Sequence, residues 1–107
     1  MIAIEKSSGN VYADLGFTNA NEMLVKAQLA AKISEIIRSR SWTQQQAATA
    51  LGISQPKLSN LLRGQFRGIS EAKMLDCLVR LGREVQIVIG PEKATEEIGH
   101  VNVMCVA

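Results

Sequence analysis

The stretch from Thr43 to Gly64, TQQQAATALGISQPKLSNLLRG, admits few folds. Thr43 and Gln46 have the Thr-x-x-Gln spacing of a capping box, in which each side chain satisfies the other residue's backbone N–H. Ala47, Ala48 and Leu51 then fall on one helical face. Gly52 follows where the chain must turn with positive φ. Ile53 is placed to plug the space beneath that turn. Ser54 is a good N-cap for a second helix, and Pro56 falls in its first turn, where a missing N–H costs little. Leu58, Leu61 and Leu62 give the second helix an apolar face, and Gly64 stops it. Two helices joined by a turn this short must approach closely. Ala48 leaves room for that approach.

The second helix keeps Gln55, Lys57, Ser59 and Asn60 outward. Hydrogen-bonding side chains of this kind read base edges in a major groove. The charge map points the same way. Net charge is only +2, but no acidic residue lies between Glu35 and Glu71. That window holds Arg38, Arg40, Lys57, Arg63 and Arg67, a local charge of +5. The remaining seven basic and ten acidic side chains leave the rest at −3. A basic patch around two such helices is the footprint of phosphate contacts. Arg38 and Arg40 also suit the C-terminal end of a helix through its dipole. Plain core packing in a small α protein is the competing reading of the two helices.

These residues resemble the XRE-type helix-turn-helix, whose pattern runs T-Q-x-x-A-A-x-x-L-G-I-S-Q-x-x-L-S-x-x-x-x-G. The match falls at Thr43, Gln44, Ala47, Ala48, Leu51, Gly52, Ile53, Ser54, Gln55, Leu58, Ser59 and Gly64. Wider similarity covers residues 8 to 91. SGNVYADLGF, the Lys26-Ala27-Gln28-Leu29 helix, WTQQQAA and LGREVQIVIGP resemble the antitoxins of host-inhibition-of-growth toxin–antitoxin pairs. The resemblance implies a repressor that binds its own operator in double-stranded DNA as a homodimer. It also implies a small ribonuclease toxin of the RelE-like fold as partner, with DNA binding and toxin binding linked.

Length and composition bound the alternatives. A chain of 107 residues is sized for one domain. With 47% hydrophobic and 4% aromatic residues its core is mostly aliphatic. No apolar run is long enough to span a membrane. MIAIEKSSG lacks the basic and apolar regions of a signal peptide, so a cytoplasmic location is expected. Cys77 and Cys105 are expected to stay reduced, as cytosolic thiols do. With the single His100 they make no credible zinc set. No catalytic constellation stands at working spacing, and neither enzyme activity nor a cofactor is expected.

Taken in order, residues 1–18 form an N-terminal arm. Within it NVYADLGF, residues 10–17, can pack back on the core or contact a partner. Residues 19–82 form the helical domain. Asn19 and Glu22 make a second capping box, and a long helix runs to Arg40. Val25, Leu29, Ile33, Ile36 and Ile37 are its apolar stripe, with Lys26, Lys32 and Glu35 facing out. Trp42 is expected to pack at the junction with the next helix, since Trp brings a large buried area, with base stacking as the competing reading. Phe66, between Arg63 and Arg67, is expected to anchor the loop after Gly64 to the core, with nucleic-acid stacking as the competing reading. Ser70 caps a further helix with Glu71 in its first turn. Met74, Leu75, Leu78 and Leu81 point inward there, and Gly82 ends it.

Residues 83–107 are expected to hold a C-terminal strand or hairpin and a tail. Glu84 to Ile89, EVQIVI, alternates and is rich in β-branched residues. His100 to Val106 is a second candidate strand. A lone strand exposes an unpaired edge, which the second strand or another chain can satisfy.

The expected fold is therefore mainly α, a five-helix-type XRE domain whose C-terminal strand pairs across a dimer through Val85, Ile87 and Ile89. The expected DNA-binding residues are Thr43, Gln44, Ser54, Gln55, Pro56, Lys57, Ser59, Asn60, Arg63 and Arg67. Two alternatives remain: a stand-alone repressor without a toxin, and a protein-interaction module on the same scaffold. The module predicts acidic or apolar residues outward on residues 55–63, where Gln55, Lys57, Asn60 and Arg63 stand instead.

Overall fold

The computed structural model describes residues 20–95 and 98–106. Four helices are present among them: α1 Ala20–Ser39, α2 Gln44–Leu51, α3 Gln55–Leu62 and α4 Glu71–Arg80. Chain contacts divide the molecule into two compact units. One spans Lys26–Gln86 and contains most of α1 and all of α2, α3 and α4. The other comprises Met1–Val25 and Ile87–Ala107. The expected N-terminal arm, the NVYADLGF segment and the Asn19 cap lie outside the described residues.

In α1 the expected stripe is buried throughout: Val25, Leu29, Ile33, Ile36 and Ile37. The buried face is wider than the stripe, because Lys26, Ala30 and Ser34 are buried beside it. These three recur every fourth residue and meet Ile37 three residues on, so they make a second row on the same side. Lys26 is thus not outward as expected; a four-carbon stem can lie along apolar surface. Lys32 pairs with Glu35 across 2.8 Å, and that bond holds the Glu35 carboxyl below its usual range.

α1 ends at a turn in which Ser41 adopts φ 57°, a left-handed conformation uncommon for any residue but glycine. The Arg40 guanidinium donates to the Leu81 carbonyl at the end of α4. It also lies 5.1 Å from the centroid of the Trp42 ring, within cation–π range. Arg40 therefore ties the ends of α1 and α4 together, and half-buried Trp42 packs at the hinge.

α2 packs against both α3 and α4. Ala47, Ala48, Leu51, Leu58, Leu61, Met74, Cys77, Leu78 and Leu81 are all buried in this unit. Truncating any of the fully buried leucines is worth about 2–5 kcal/mol. Leu62 and Leu75 are only half-buried, so α3 and α4 each turn a narrower face inward than expected. Cys77 takes the inward place on α4, and burial pushes its thiol pKa up. Phe66 is buried, as expected of a loop anchor, together with Ile69.

Neither C-terminal strand is present. Residues 83–90 and 98–106 have no regular secondary structure, and no strand occurs among the described residues. The alternation in EVQIVI marks two faces of an extended segment but supplies no ladder. A strand exists only when a neighbour takes its N–H and C=O groups. Ile87, Val88 and Ile89 are 76%, 83% and 87% exposed.

Candidate nucleic-acid interface

Local chemistry marks both ends of α2 and α3. The Thr43 hydroxyl accepts from the Gln46 N–H at 3.1 Å, and Gln46 Oε1 accepts from the Thr43 N–H at 2.9 Å. Both halves of the capping box are therefore made. At the other end of α2, Gly52 sits at φ 70°. Its N–H reaches the Thr49 carbonyl at 3.3 Å, and the Ile53 N–H reaches that of Ala48 at 3.1 Å. Those two bonds define a Schellman ending. Ser54 then starts α3, its hydroxyl accepting from the Lys57 N–H at 3.3 Å. α3 ends by the same device: Gly64 at φ 82° bonds back to Leu61 at 3.0 Å, and Gln65 to Asn60 at 2.7 Å.

The outer face of this unit carries the expected site residues. Thr43, Gln44, Ser54, Gln55, Pro56, Lys57, Arg63 and Arg67 are exposed, while Ser59 and Asn60 are half-exposed. Thr43 and Ser54 each commit one hydroxyl lone pair to a cap. Arg67 lies in the loop beyond α3, with Phe66 beside it buried. Arg40, part of the basic window, is spent on Leu81 and Trp42. Lys57, Arg63 and Arg67, all exposed, carry the positive charge of α3 and the loop after it, and Arg38 at the end of α1 is exposed as well.

Two features were missed by reading spacing alone. Arg63 folds back along α3: its Nη1 donates to Ser59 Oγ at 3.0 Å and its Nη2 to Asn60 Oδ1 at 2.7 Å. The i−4 and i−3 spacing of these partners was a signal available in the sequence. The second is Arg80, whose guanidinium lies over Gly52 while its Nε donates to Asp76 at 2.8 Å. Nothing in the spacing of α4 indicates that contact.

A family model described as a helix-turn-helix domain matches residues 11–90. A solved structure described as a putative XRE family transcriptional regulator superposes with a TM-score of 0.75 at 30% identity. The chain belongs to the XRE-type helix-turn-helix family. The superposition covers 82% of this chain and 99% of the other. No curated protein matches the sequence. Among the described residues of this XRE-type chain, no helix is long and apolar enough to cross a membrane.

Proposed function

We propose that this chain is a sequence-specific DNA-binding repressor that places α3 in the major groove. The observation that carries the reading is the outer face of α3 and its following loop. Gln55, Lys57, Ser59, Asn60, Arg63 and Arg67 present hydrogen-bonding or positive groups there, with no acid among them. Thr43, Gln44, Ser54 and Pro56, at the starts of α2 and α3, complete the proposed contact surface. Binding a labelled library of random duplexes, followed by sequencing of the retained fraction, tests it. Enrichment of one sequence supports the reading, and retention without enrichment refutes it.

The functional unit is proposed to be a homodimer. One helix-turn-helix covers a single half-site, and two-fold dimers place two recognition helices about 34 Å apart, one turn of DNA. Residues 19–82 act as the DNA-binding domain and 83–107 as the dimerisation element. The exposure of Ile87, Val88 and Ile89 supports this assignment, since apolar side chains in a row are costly to leave in water. In this reading residues 84–89 become a strand only when the second copy supplies the ladder, through Val85, Ile87 and Ile89. Ile87→Pro removes a ladder donor and leaves a helical monomer with poor operator affinity. Sedimentation of that variant decides the point; a dimer that still binds tightly places the interface elsewhere.

The finer biological role proposed is that of an antitoxin. Its support is the resemblance of residues 8–17, 26–29, 42–48 and 81–91 to antitoxins of host-inhibition-of-growth pairs. Its partner would be a small RelE-like ribonuclease. Co-expression with the product of the neighbouring reading frame tests this role. Relief of growth inhibition and a co-purifying complex support it, whereas a neighbour without toxicity leaves a stand-alone repressor.

A further inference from the structure

Arg63 stands at the end of the proposed reading helix, where a basic side chain is expected to seek phosphate. In this structure its guanidinium instead spans two acceptors on the same helix, Ser59 Oγ at 3.0 Å and Asn60 Oδ1 at 2.7 Å. From this juxtaposition, and resting on the DNA-binding reading above, we infer that Arg63 fixes Ser59 and Asn60 as hydrogen-bond donors, so that α3 selects guanine where Asn60 meets the groove.

The chemistry follows from donor and acceptor counting. Asn carries one acceptor oxygen and two N–H donors. A free Asn can pair bidentately with adenine, its oxygen accepting from N6 and its nitrogen donating to N7. Here Oδ1 already faces a cation, and a fixed positive charge beside it opposes approach of the adenine amino group along the same edge. That charge disfavours the second lone pair of Oδ1 as an acceptor, so Asn60 offers the groove chiefly its two N–H groups. Ser59 is placed alike: one lone pair of its oxygen accepts from Arg63, the guanidinium charge disfavours a second donor there, and the hydroxyl hydrogen can donate. Lys57 lies one turn before Asn60 on the helix and is exposed; it carries donors only. The guanidinium has five N–H groups and spends two on its partners, so the rest stay open for an acceptor. The face made by Lys57, Ser59, Asn60 and Arg63 is thus rich in donors. Guanine is the base whose major-groove edge offers two acceptors, O6 and N7, side by side.

Lysine cannot reproduce this arrangement. It keeps the charge, but its single ammonium lacks the planar fork that spans two fixed acceptors. Arg63 is in this sense a positioning residue, and Arg63→Lys separates positioning from charge. Arg63 is exposed, and Arg and Lys have similar helix propensities, so the variant folds as the parent does.

The test is parallel selection from a random duplex library with the intact wild-type chain, Arg63→Lys, Asn60→Ala and Asn60→Asp. The position read by Asn60 is the one whose preference vanishes in Asn60→Ala. The expected result is guanine at that position for the wild type. Arg63→Lys should lose about tenfold of that preference, the scale of one good bidentate contact. Asn60→Asp, which keeps the oxygen for Arg63 but has no N–H to donate, should lose it as well. Adenine at that position, or an unchanged guanine preference in Arg63→Lys, overturns the inference and leaves the DNA-binding reading standing. A wild type that enriches no sequence overturns that reading itself and the inference with it.

Discussion

The Arg80 guanidinium covers Gly52: a Cβ built on that glycine would stand 3.1 Å from Arg80 Nη1. A side chain of α4 thus lies against the turn between α2 and α3, and a larger residue at Gly52 meets both a positive φ and a tight contact. Gly52 has φ 70°, whereas Gly64 has φ 82° with nothing within 4 Å of its would-be Cβ. Gly64→Ala therefore meets only the backbone cost, about 1–2 kcal/mol for an L-residue in the left-handed region. Gly52→Ala meets that cost and must also displace Arg80. Thermal or denaturant unfolding should rank Gly52→Ala below Gly64→Ala, and the gap should close in an Arg80→Ala background. Equal losses in the wild-type background would show that Arg80 yields freely.

Arg80 is held in place by Asp76, which also accepts from Lys73 at 3.2 Å. The hydrogen bonds from Lys73 and then Arg80 hold the Asp76 carboxyl below its usual range. A carboxyl whose folded pKa is lowered stabilises the fold above its unfolded pKa, and that contribution disappears as pH falls through the folded value. Stability measured from neutral pH into the acid range should therefore fall as Asp76 protonates. Asp76→Asn should show a lower plateau at neutral pH and a shallower acid decline. A decline of the same depth in the variant would assign it to other carboxyls.

Arg67 is the cleaner probe of phosphate binding, because Arg63 is engaged with Ser59 and Asn60. Arg67→Ala should weaken binding to specific and random duplexes alike. It should also flatten the salt slope by about 1 for each phosphate no longer neutralised, doubled in a symmetric dimer. A slope identical to that of the wild type would remove Arg67 from the interface.

How far the sequence could be read depended on the range of the interaction. The α2–turn–α3 unit was legible because its determinants are local: Thr43 with Gln46, Gly52 after Leu51, Ser54 before Gln55. The buried stripe of α1 was legible from its period, but Lys26 was misplaced, since the width of a buried face depends on what packs against it. Arg63 stands where a phosphate ligand is expected, yet Ser59 and Asn60 lie at helical spacing behind it. Sequence alone does not say whether a flexible cation turns to its own helix or away. Arg40 on Leu81 and Arg80 on Gly52 are contacts between separate elements that no local pattern encodes. The strand expected at residues 84–89 failed for a related reason. Alternation shows that a segment can be a strand, but the ladder comes from a neighbour, and the described residues contain none.

In the function proposed, α3 reads bases and does not merely rest on phosphate. Gln55, exposed at the first position of α3, separates the two, because its amide can pair with a base edge and carries no charge. Equilibrium binding of the wild type and Gln55→Ala should be compared on the selected duplex and on a random duplex at one salt concentration. Gln55→Ala should lose about 1–3 kcal/mol on the selected duplex and change little on the random one. Equal losses on both duplexes would contradict it.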